Sequence, residues 1–164
     1  RLAADVLSRL KPAVIRGNGS EILTLAQQAG EGRGVDSLHG AETALVAAQR
    51  LAKNTGAVVA VTGAVDYVTD GARIIAIHNG HPLMARVTGL GCSATAVIGA
   101  FLGVESNAFT ATVAALTLFG VAGEIAAEQS PGPGTLQVAL LDMLYTLKES
   151  IFSQRALVKP YFIK

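Results

Sequence analysis

The glycine turn Thr88-Gly89-Leu90-Gly91-Cys92, which opens an apolar helical segment, carries the clearest chemical signal in the sequence. Glycines let a backbone approach a ligand closely, and the free amides at the start of a helix attract negative charge. A phosphoryl group that is being transferred carries negative charge that such amides stabilise, so the turn predicts an anion-binding loop. Taken alone, the turn is equally compatible with a plain helix start in which the glycines serve packing.

The same turn also fits a dinucleotide-binding pattern, because Gly89 to Ala94 reads as G-x-G-x-x-G/A. That pattern belongs in an opening strand-helix-strand unit and is followed about 20 residues later by a carboxylate at a strand end. Here the helix after the turn leads into more helix, and the stretch Asn107 to Thr112 contains no carboxylate. The context therefore favours phosphate binding over dinucleotide binding.

Polar side chains at two predicted strand ends support a phosphate site. Arg16 directly follows the apolar run Ala13 to Ile15, and Thr62 directly follows Val58 to Val61. Arginine supplies a permanent cation with a fork of donors, and threonine adds a hydroxyl and a backbone amide. Taken alone, Arg16 is also compatible with an exposed surface position, and Thr62 is also compatible with a cap or a turn. Open α/β sheets bind ligands at the carboxyl ends of their strands, so their coincidence with the glycine turn predicts a joint site.

Glu21 lies five residues beyond Arg16, at the start of a predicted helix for which Ser20 is the expected cap. A single protein carboxylate beside substrate phosphates suits Mg²⁺, held directly or through water. The alternative is that Glu21 only stabilises the dipole of its own helix.

The elements that must position these residues alternate between helix and strand before the glycine turn and are helical after it. Before the turn we predict helices over 2–10, 21–29 and 42–53, strands over 13–15, 57–61, 66–69 and 73–78, and a glycine-rich connection over 30–37. A further short strand is predicted over 83–87. After the turn we predict helices over 92–102, 107–128 and 135–149. The turn Asp70-Gly71 predicts a hairpin. This order indicates an α/β sandwich with a mostly parallel sheet, an antiparallel hairpin and a helix-rich C-terminal half.

Composition limits the classes of partner. The 164 residues have the size of one domain, and 51% are hydrophobic while 15% are charged. Thirteen basic and twelve acidic residues give a net charge of +1, too balanced for a nucleic-acid or anionic-membrane binder. The one cysteine excludes an intrachain disulfide, which suggests a reducing, cytoplasmic setting. The apolar stretch Ser106 to Gly123 is interrupted by polar groups, so we expect a buried core helix rather than a membrane span.

Several of these motifs together resemble one known family. The segments that carry the resemblance are Ala13 to Glu21, Val61-Thr62-Gly63, Asn79 to Met84 and Val87 to Cys92, supported by Gly32 to Ser37 and Gly132-Pro133-Gly134. In this order, and over about residues 7–147, they resemble the hydroxyethylthiazole kinase family, ribokinase-like enzymes of thiamine salvage. The resemblance implies a ribokinase-like three-layer α/β sandwich and a homotrimer.

The resemblance also implies an activity and roles for particular residues. The implied reaction is ATP-dependent phosphorylation of the hydroxyl of 4-methyl-5-(2-hydroxyethyl)thiazole. By this resemblance Arg16 and Thr62 bind ATP, and Glu21 helps to hold Mg²⁺. Gly89 contacts the thiazole alcohol, and Cys92 occupies the position where other ribokinase-like kinases carry an aspartate base.

Cys92 has two readings at this stage. A helix N-terminus favours a thiolate, which can accept the proton of the substrate alcohol, yet a thiolate is a modest base toward an alcohol. In the other reading Cys92 only shapes the loop, and a covalent role is not expected. Leu90 stands where the family usually has a smaller residue, which either narrows the pocket or packs.

The family's N-terminal part, with residues of the thiazole pocket and another magnesium carboxylate, has no counterpart in these residues. We therefore expect residues 1–164 to be a single, N-terminally incomplete kinase domain that carries the nucleotide side of the site. Two alternatives stay open. One is a non-catalytic nucleotide-binding or scaffolding subunit, and the other is a ribokinase-like kinase for another small alcohol, which a cysteine in place of the aspartate disfavours.

Overall fold

The computed structural model describes residues 7, 9–28 and 40–163. Its strands are β1 (Val14–Asn18), β2 (Val58–Thr62), β3 (Asp66–Thr69), β4 (Ile74–Ile77) and β5 (Val158–Tyr161). Its α-helices are α1 (Gly19–Gln28), α2 (Gly40–Thr55), α3 (Leu90–Leu102), α4 (Ala108–Glu128), α5 (Pro133–Thr146) and α6 (Glu149–Arg155), with a 3₁₀ helix at Pro82–Arg86. The helix predicted over 2–10 and the connection predicted over 30–37 fall largely or wholly outside the described residues.

The five strands form one mixed sheet in the order β1-β2-β3-β4-β5. β1 and β2 are parallel, with Val14 opposite Val58, whereas β2 and β3 are antiparallel. β3 and β4 are neighbours, as the hairpin predicted around Asp70-Gly71 requires. The chain divides into two compact units, residues 1–76 with 160–164 and residues 77–159. The predicted α/β fold is therefore confirmed. Of the mostly parallel sheet that we predicted, the pairing of β1 with β2 is parallel.

In the first unit, β2 lies in the middle of the hydrophobic core. Its run Val58 to Val61 is buried throughout, as expected for a β-branched strand that is covered on both faces. The core around it consists of Ile15, Ile22, Ala44, Leu45, Ala48, Leu51, Ala52, Ala57, Val59 and Val61. Because this packing fixes β2 along its length, Thr62 at its end has a well-defined position.

The junction of β1 and α1 corrects two predictions. Arg16 lies inside β1 rather than after it, because the strand continues to pair with β2 as far as Asn18 opposite Thr62. Asn18, not Ser20, caps α1: its Oδ1 accepts the Glu21 N–H at 2.9 Å, and Glu21 Oε2 accepts the Asn18 N–H at 2.8 Å. This reciprocal capping box satisfies two backbone donors at once.

In the second unit, α4 is the buried central helix. It begins after Asn107, whose Oδ1 accepts the Thr110 N–H at 3.0 Å. Among the described residues it is the one helix long and apolar enough to cross a membrane. Thirteen of its 21 residues are buried inside the fold, and the buried hydroxyls of Thr112 and Thr117 donate to carbonyls of the same helix. This burial agrees with the core helix that the sequence predicts.

Two predicted elements after residue 77 differ from the structure, and two observed elements were not predicted. The strand predicted over 83–87 is wrong: Pro82 starts a 3₁₀ helix whose cap, His81, accepts the Leu83 N–H on Nδ1. The helix predicted over 135–149 ends at Thr146, and α6 and β5 follow it. β5 escaped prediction because Pro160 lies within it, which a sequence reading takes as evidence against a strand.

Two glycines of the second unit provide a matched prediction. An added Cβ on Gly120 would lie 2.8 Å from the Cβ of Asn79 and 2.9 Å from its carbonyl group, whereas one on Gly99 would meet nothing within 4 Å. We expect Gly120→Ala to lower the free energy of unfolding by about 1–3 kcal/mol through overpacking. Gly99→Ala should raise it by roughly 0.5–1 kcal/mol through helix propensity. Urea unfolding measures both, and equal effects of the two substitutions would contradict this packing.

Candidate active site

Arg16 and Thr62, predicted as a pair from separate strand ends, are in direct contact in the first unit. Arg16 Nη1 donates to Thr62 Oγ1 at 2.9 Å, and Thr62 Oγ1 lies 3.4 Å from the carbonyl oxygen of Gly17, to which it donates. The parallel register of β1 and β2 brings these residues together, with Thr62 opposite Asn18. The result is a half-buried Arg16 whose guanidinium reaches from the middle of β1 to the last residue of β2.

The guanidinium of Arg16 has unused donor capacity. Of the buried side-chain nitrogen and oxygen atoms in the described part of the chain, Arg16 Nε is the one that has no hydrogen-bond partner. A buried donor of a charged group without an acceptor is costly and therefore calls for an explanation such as a ligand. Nε and the Nη groups form a planar fork that matches two oxygens of a phosphate. This arrangement suits an anionic ligand.

Glu21 lies close to the backbone beside Arg16. An added Cβ on Gly17 would be 3.2 Å from Glu21 Oε2, so the carboxylate packs over the residue that follows Arg16. Oε2 is already used in the capping box, whereas Oε1 has no hydrogen-bond partner among the described residues. The side chain is exposed.

The donor set around Glu21 can be compared with what Mg²⁺ needs. Within the described residues no group of three or more His, Cys, Asp or Glu side chains could hold a metal ion. Mg²⁺ commonly keeps several waters and binds one or two carboxylates together with substrate phosphates. One exposed carboxylate beside the residue that follows Arg16 fits that mode, and it does not fit a cage built from protein ligands alone.

Asp66, at the start of β3, belongs to this site, and sequence reasoning missed it. Its Oδ1 accepts the Gly63 N–H at 2.9 Å and so closes the connection that follows Thr62. Burial raises the pKa of Asp66 to about 6, opposed by the hydrogen bond from Gly63 and by the positive charge of Arg16. The spacing Thr-Gly-x-x-Asp was the available signal, but a strand start explained it equally well.

The raised pKa of Asp66 predicts a pH dependence of stability. The unfolded carboxyl has a pKa of 3.8, so between pH 4 and 6 the folded state binds more protons than the unfolded state. Stability is then lost as pH rises through that window, by up to about 3 kcal/mol from this group. Asp66→Asn keeps an acceptor for Gly63 and should remove this component. Urea unfolding at pH 4 and pH 8 tests it, and an identical pH slope in parent and variant would refute it.

A largely apolar cavity of about 490 Å³ lies in the first unit next to Thr62. Residues from α1, α2 and the connection between β2 and β3 line it: Gly19, Ser20, Leu23, Ala44, Leu45, Val61, Thr62, Gly63, Ala64, Val65 and Tyr67. Its size falls within the range of small-molecule sites, and its walls are apolar with a few polar groups, as such sites usually are. The first unit thus combines a guanidinium fork that suits an anion with an apolar recess next to Thr62.

In the second unit, the glycine turn has the geometry of a helix N-terminus that is open to a ligand. Gly89 adopts φ +89° and ψ −6°, a left-handed conformation that favours glycine, and α3 begins at Leu90. The Gly89 carbonyl accepts the Ser93 N–H at 3.0 Å, which starts the ladder of the helix. The earlier N–H groups of the helix have no partner within it. Gly89 and Cys92 are exposed, so an anion can reach these donors and the thiol.

Comparison with known proteins gives one consistent family. The family model described as "Hydroxyethylthiazole kinase family" matches residues 1–150. A hydroxyethylthiazole kinase of Granulibacter bethesdensis is 57% identical over 155 residues, which are 94% of this chain. One of Nitratidesulfovibrio vulgaris is 48% identical over 145 residues, which are 88% of this chain.

A solved structure supports the fold. The hydroxyethylthiazole kinase protein from Pyrococcus horikoshii OT3 matches with a TM-score of 0.88 and 40% identity over 99% of this chain. The ribokinase-like α/β class predicted above is thereby confirmed. The chain spans 59% of that structure's chain, 56% of the Granulibacter protein and 54% of the Nitratidesulfovibrio protein.

Proposed function

The chain belongs to the hydroxyethylthiazole kinase family, and on that premise we propose that the protein containing it phosphorylates 4-methyl-5-(2-hydroxyethyl)thiazole with ATP. The observation that carries this proposal is the buried Arg16 Nε, which has no acceptor among the described residues and belongs to a guanidinium fixed by Thr62. In this reaction an alcohol accepts the phosphoryl group, and the reaction belongs to thiamine salvage. The relatives' names support the substrate, and the site supports the phosphate donor.

In this proposal Arg16 and Thr62 bind the nucleotide. Arg16 donates from its fork to the phosphate oxygens of ATP, and Thr62, which holds the guanidinium, binds ATP beside it. Glu21 helps to hold Mg²⁺ through Oε1 or through water, while its Oε2 keeps the capping box. When bound, Mg²⁺ neutralises charge on the β- and γ-phosphates.

The glycine turn serves the acceptor and the group in transfer. Gly89 contacts the alcohol, and the N–H groups of the turn stabilise charge on the γ-phosphoryl oxygens. The hydroxyl oxygen of the thiazole forms a bond to the γ-phosphorus while the bond from that phosphorus to the bridging oxygen breaks, which releases ADP. The Cys92 sulfur accepts the hydroxyl proton. Such transfer depends mainly on positioning and charge stabilisation, so a modest base suffices.

We also propose a homotrimer in the cytoplasm, with residues 1–164 belonging to one kinase domain and with no nucleic-acid or membrane partner. Support for a subunit contact comes from α5, where Val138, Leu141 and Tyr145 follow helical spacing and are 62%, 61% and 92% exposed. Exposed apolar side chains on one helix face are typical of an interaction surface. The balanced charge of +1 supports the absence of polyanionic partners.

An acceptor assay separates this function from its alternatives. ADP formation by the intact protein that contains this chain is measured with the thiazole alcohol, with a hydroxymethylpyrimidine alcohol and with no acceptor. We expect the amount of ADP to rise with the concentration of the thiazole alcohol, and no ADP with the pyrimidine alcohol or without an acceptor. Preference for the pyrimidine alcohol would instead identify another ribokinase-like kinase. ATP binding without ADP formation from either alcohol would identify a nucleotide-binding subunit. That alternative stays open because the chain spans only part of its relatives' length.

A further inference from the structure

Asn79, two residues after β4, has a buried side chain whose amide nitrogen and amide oxygen both have hydrogen-bond partners. Its Nδ2 donates to Glu124 Oε1 at 3.0 Å and to the Arg155 carbonyl at 2.9 Å, and its Oδ1 accepts the Leu157 N–H at 2.7 Å. One amide thus joins three segments of the second unit. A buried amide with three such bonds favours one arrangement of those segments.

Glu124, on α4, holds the next residue as well. The same oxygen, Oε1, accepts the Gly80 N–H at 2.8 Å. One turn earlier on α4, Gly120 packs so closely on Asn79 that a Cβ would collide with its backbone. Asn79, Gly80 and Glu124 therefore form a clamp between the end of β4 and the buried helix.

From this clamp the chain runs through the 3₁₀ helix to the glycine turn. Local hydrogen bonds stiffen the path: the His81 N–H lies 3.4 Å from the Met84 sulfur that accepts it, and the Val87 N–H donates to the Met84 carbonyl at 3.1 Å. The Met84 side chain contacts Gly123, also on α4. Beyond the turn, α3 packs on α4. The turn is thus held on both sides by the same helix.

We propose that Asn79 and Glu124 are positioning residues for the Gly89–Cys92 turn, which they place through the clamp and the 3₁₀ helix. Neither residue contacts the turn itself in the described contacts. The consequence for catalysis rests on the function proposed above, whereas the structural consequence for the turn does not. The two can therefore be measured separately.

Hydrogen exchange of the intact protein tests the structural part. Glu124→Ala removes the acceptor for Asn79 and Gly80, whereas Glu124→Gln retains an acceptor oxygen and is the matched control. We expect Glu124→Ala to speed exchange of the hydrogen-bonded amides of Met84, Val87 and Ser93 by about tenfold or more, with β2 unchanged, and Glu124→Gln to match the parent. Faster exchange confined to residues 79–80 and 120–124, or equal effects of both substitutions, would overturn the proposal.

Steady-state kinetics with separate ATP-binding measurements test the catalytic part. We expect Glu124→Ala to lower kcat by about ten- to hundredfold, to leave the Kd of ATP within twofold, and Glu124→Gln to restore kcat. An unchanged kcat in a folded alanine variant would overturn this part. If the alanine variant does not fold, Glu124→Asp is measured in the same way, since its shorter side chain also loses reach. If the parent has no kinase activity, the proposed function fails, and the exchange result still decides the clamp.

Discussion

Replacement of Arg16 by alanine is expected to weaken ATP binding by roughly 10- to 100-fold, because a hydrogen bond to a charged group contributes about 1.5–3 kcal/mol. The guanidinium is already fixed by Thr62 Oγ1 at 2.9 Å, so little ordering is needed when phosphate binds. Its buried Nε gains an acceptor only when a ligand arrives. Calorimetric titration of the intact protein with ATP measures the change in Kd.

Two control variants make the Arg16 result interpretable. Arg16→Lys keeps the charge but loses the planar fork, so we expect an intermediate Kd. Arg50→Ala removes an exposed arginine from α2 and causes the same change in net charge, so we expect a Kd near that of the parent. An unchanged Kd in Arg16→Ala, or an equal weakening in Arg50→Ala, would show that Arg16 is not the phosphate clamp.

Substitution of Cys92 by serine is expected to slow the chemical step by about 10²-fold or more, the usual contribution of a general base, with nucleotide affinity near normal. Cys92 is exposed in the first turn of α3, where a substrate alcohol can reach its sulfur. Serine preserves the shape of the turn and lacks an ionised form near neutral pH. Single-turnover measurements with saturating ATP isolate the chemical step from product release.

The comparison with Cys92→Ala distinguishes a base from a loop residue. If Cys92 accepts the proton, serine and alanine variants lose rate to a similar extent. If the side chain only shapes the turn, the serine variant keeps the parent rate. Turnover that is unchanged in Cys92→Ser would therefore end the assignment of proton acceptance to this residue.

The buried strands and long helices were the predictable part of the fold. The β-branched run of β2 and the apolar length of α4 have few alternatives, because such sequences must be covered on most sides. β1 was predicted too short since Gly17 and Asn18 look like turn residues, yet pairing with β2 carries the strand on to Asn18. Tertiary pairing overrode local preference there.

The site was predictable as a set of residue types and less so as a set of contacts. The contact between Arg16 and Thr62 follows from the parallel register of β1 and β2, although Arg16 lies inside β1 and not at its end as predicted. The role of Asp66 depends on a hydrogen bond to Gly63, and that of Asn79 on Glu124, 45 residues away in sequence. Such contacts depend on how distant segments pack together, and the periodicity and spacing of residues in the sequence do not predict that packing.

The most direct measurement of the central claim follows the γ-phosphoryl group. The intact protein that contains this chain is incubated with Mg²⁺, the thiazole alcohol and ATP labelled in the γ-phosphate, and the products are separated. The account predicts that the label moves to the thiazole as its phosphate ester, in equal amount to the ADP formed, and that Arg16→Ala reduces this at limiting ATP. Label that remains in ATP, or that appears in inorganic phosphate without the ester, would contradict it.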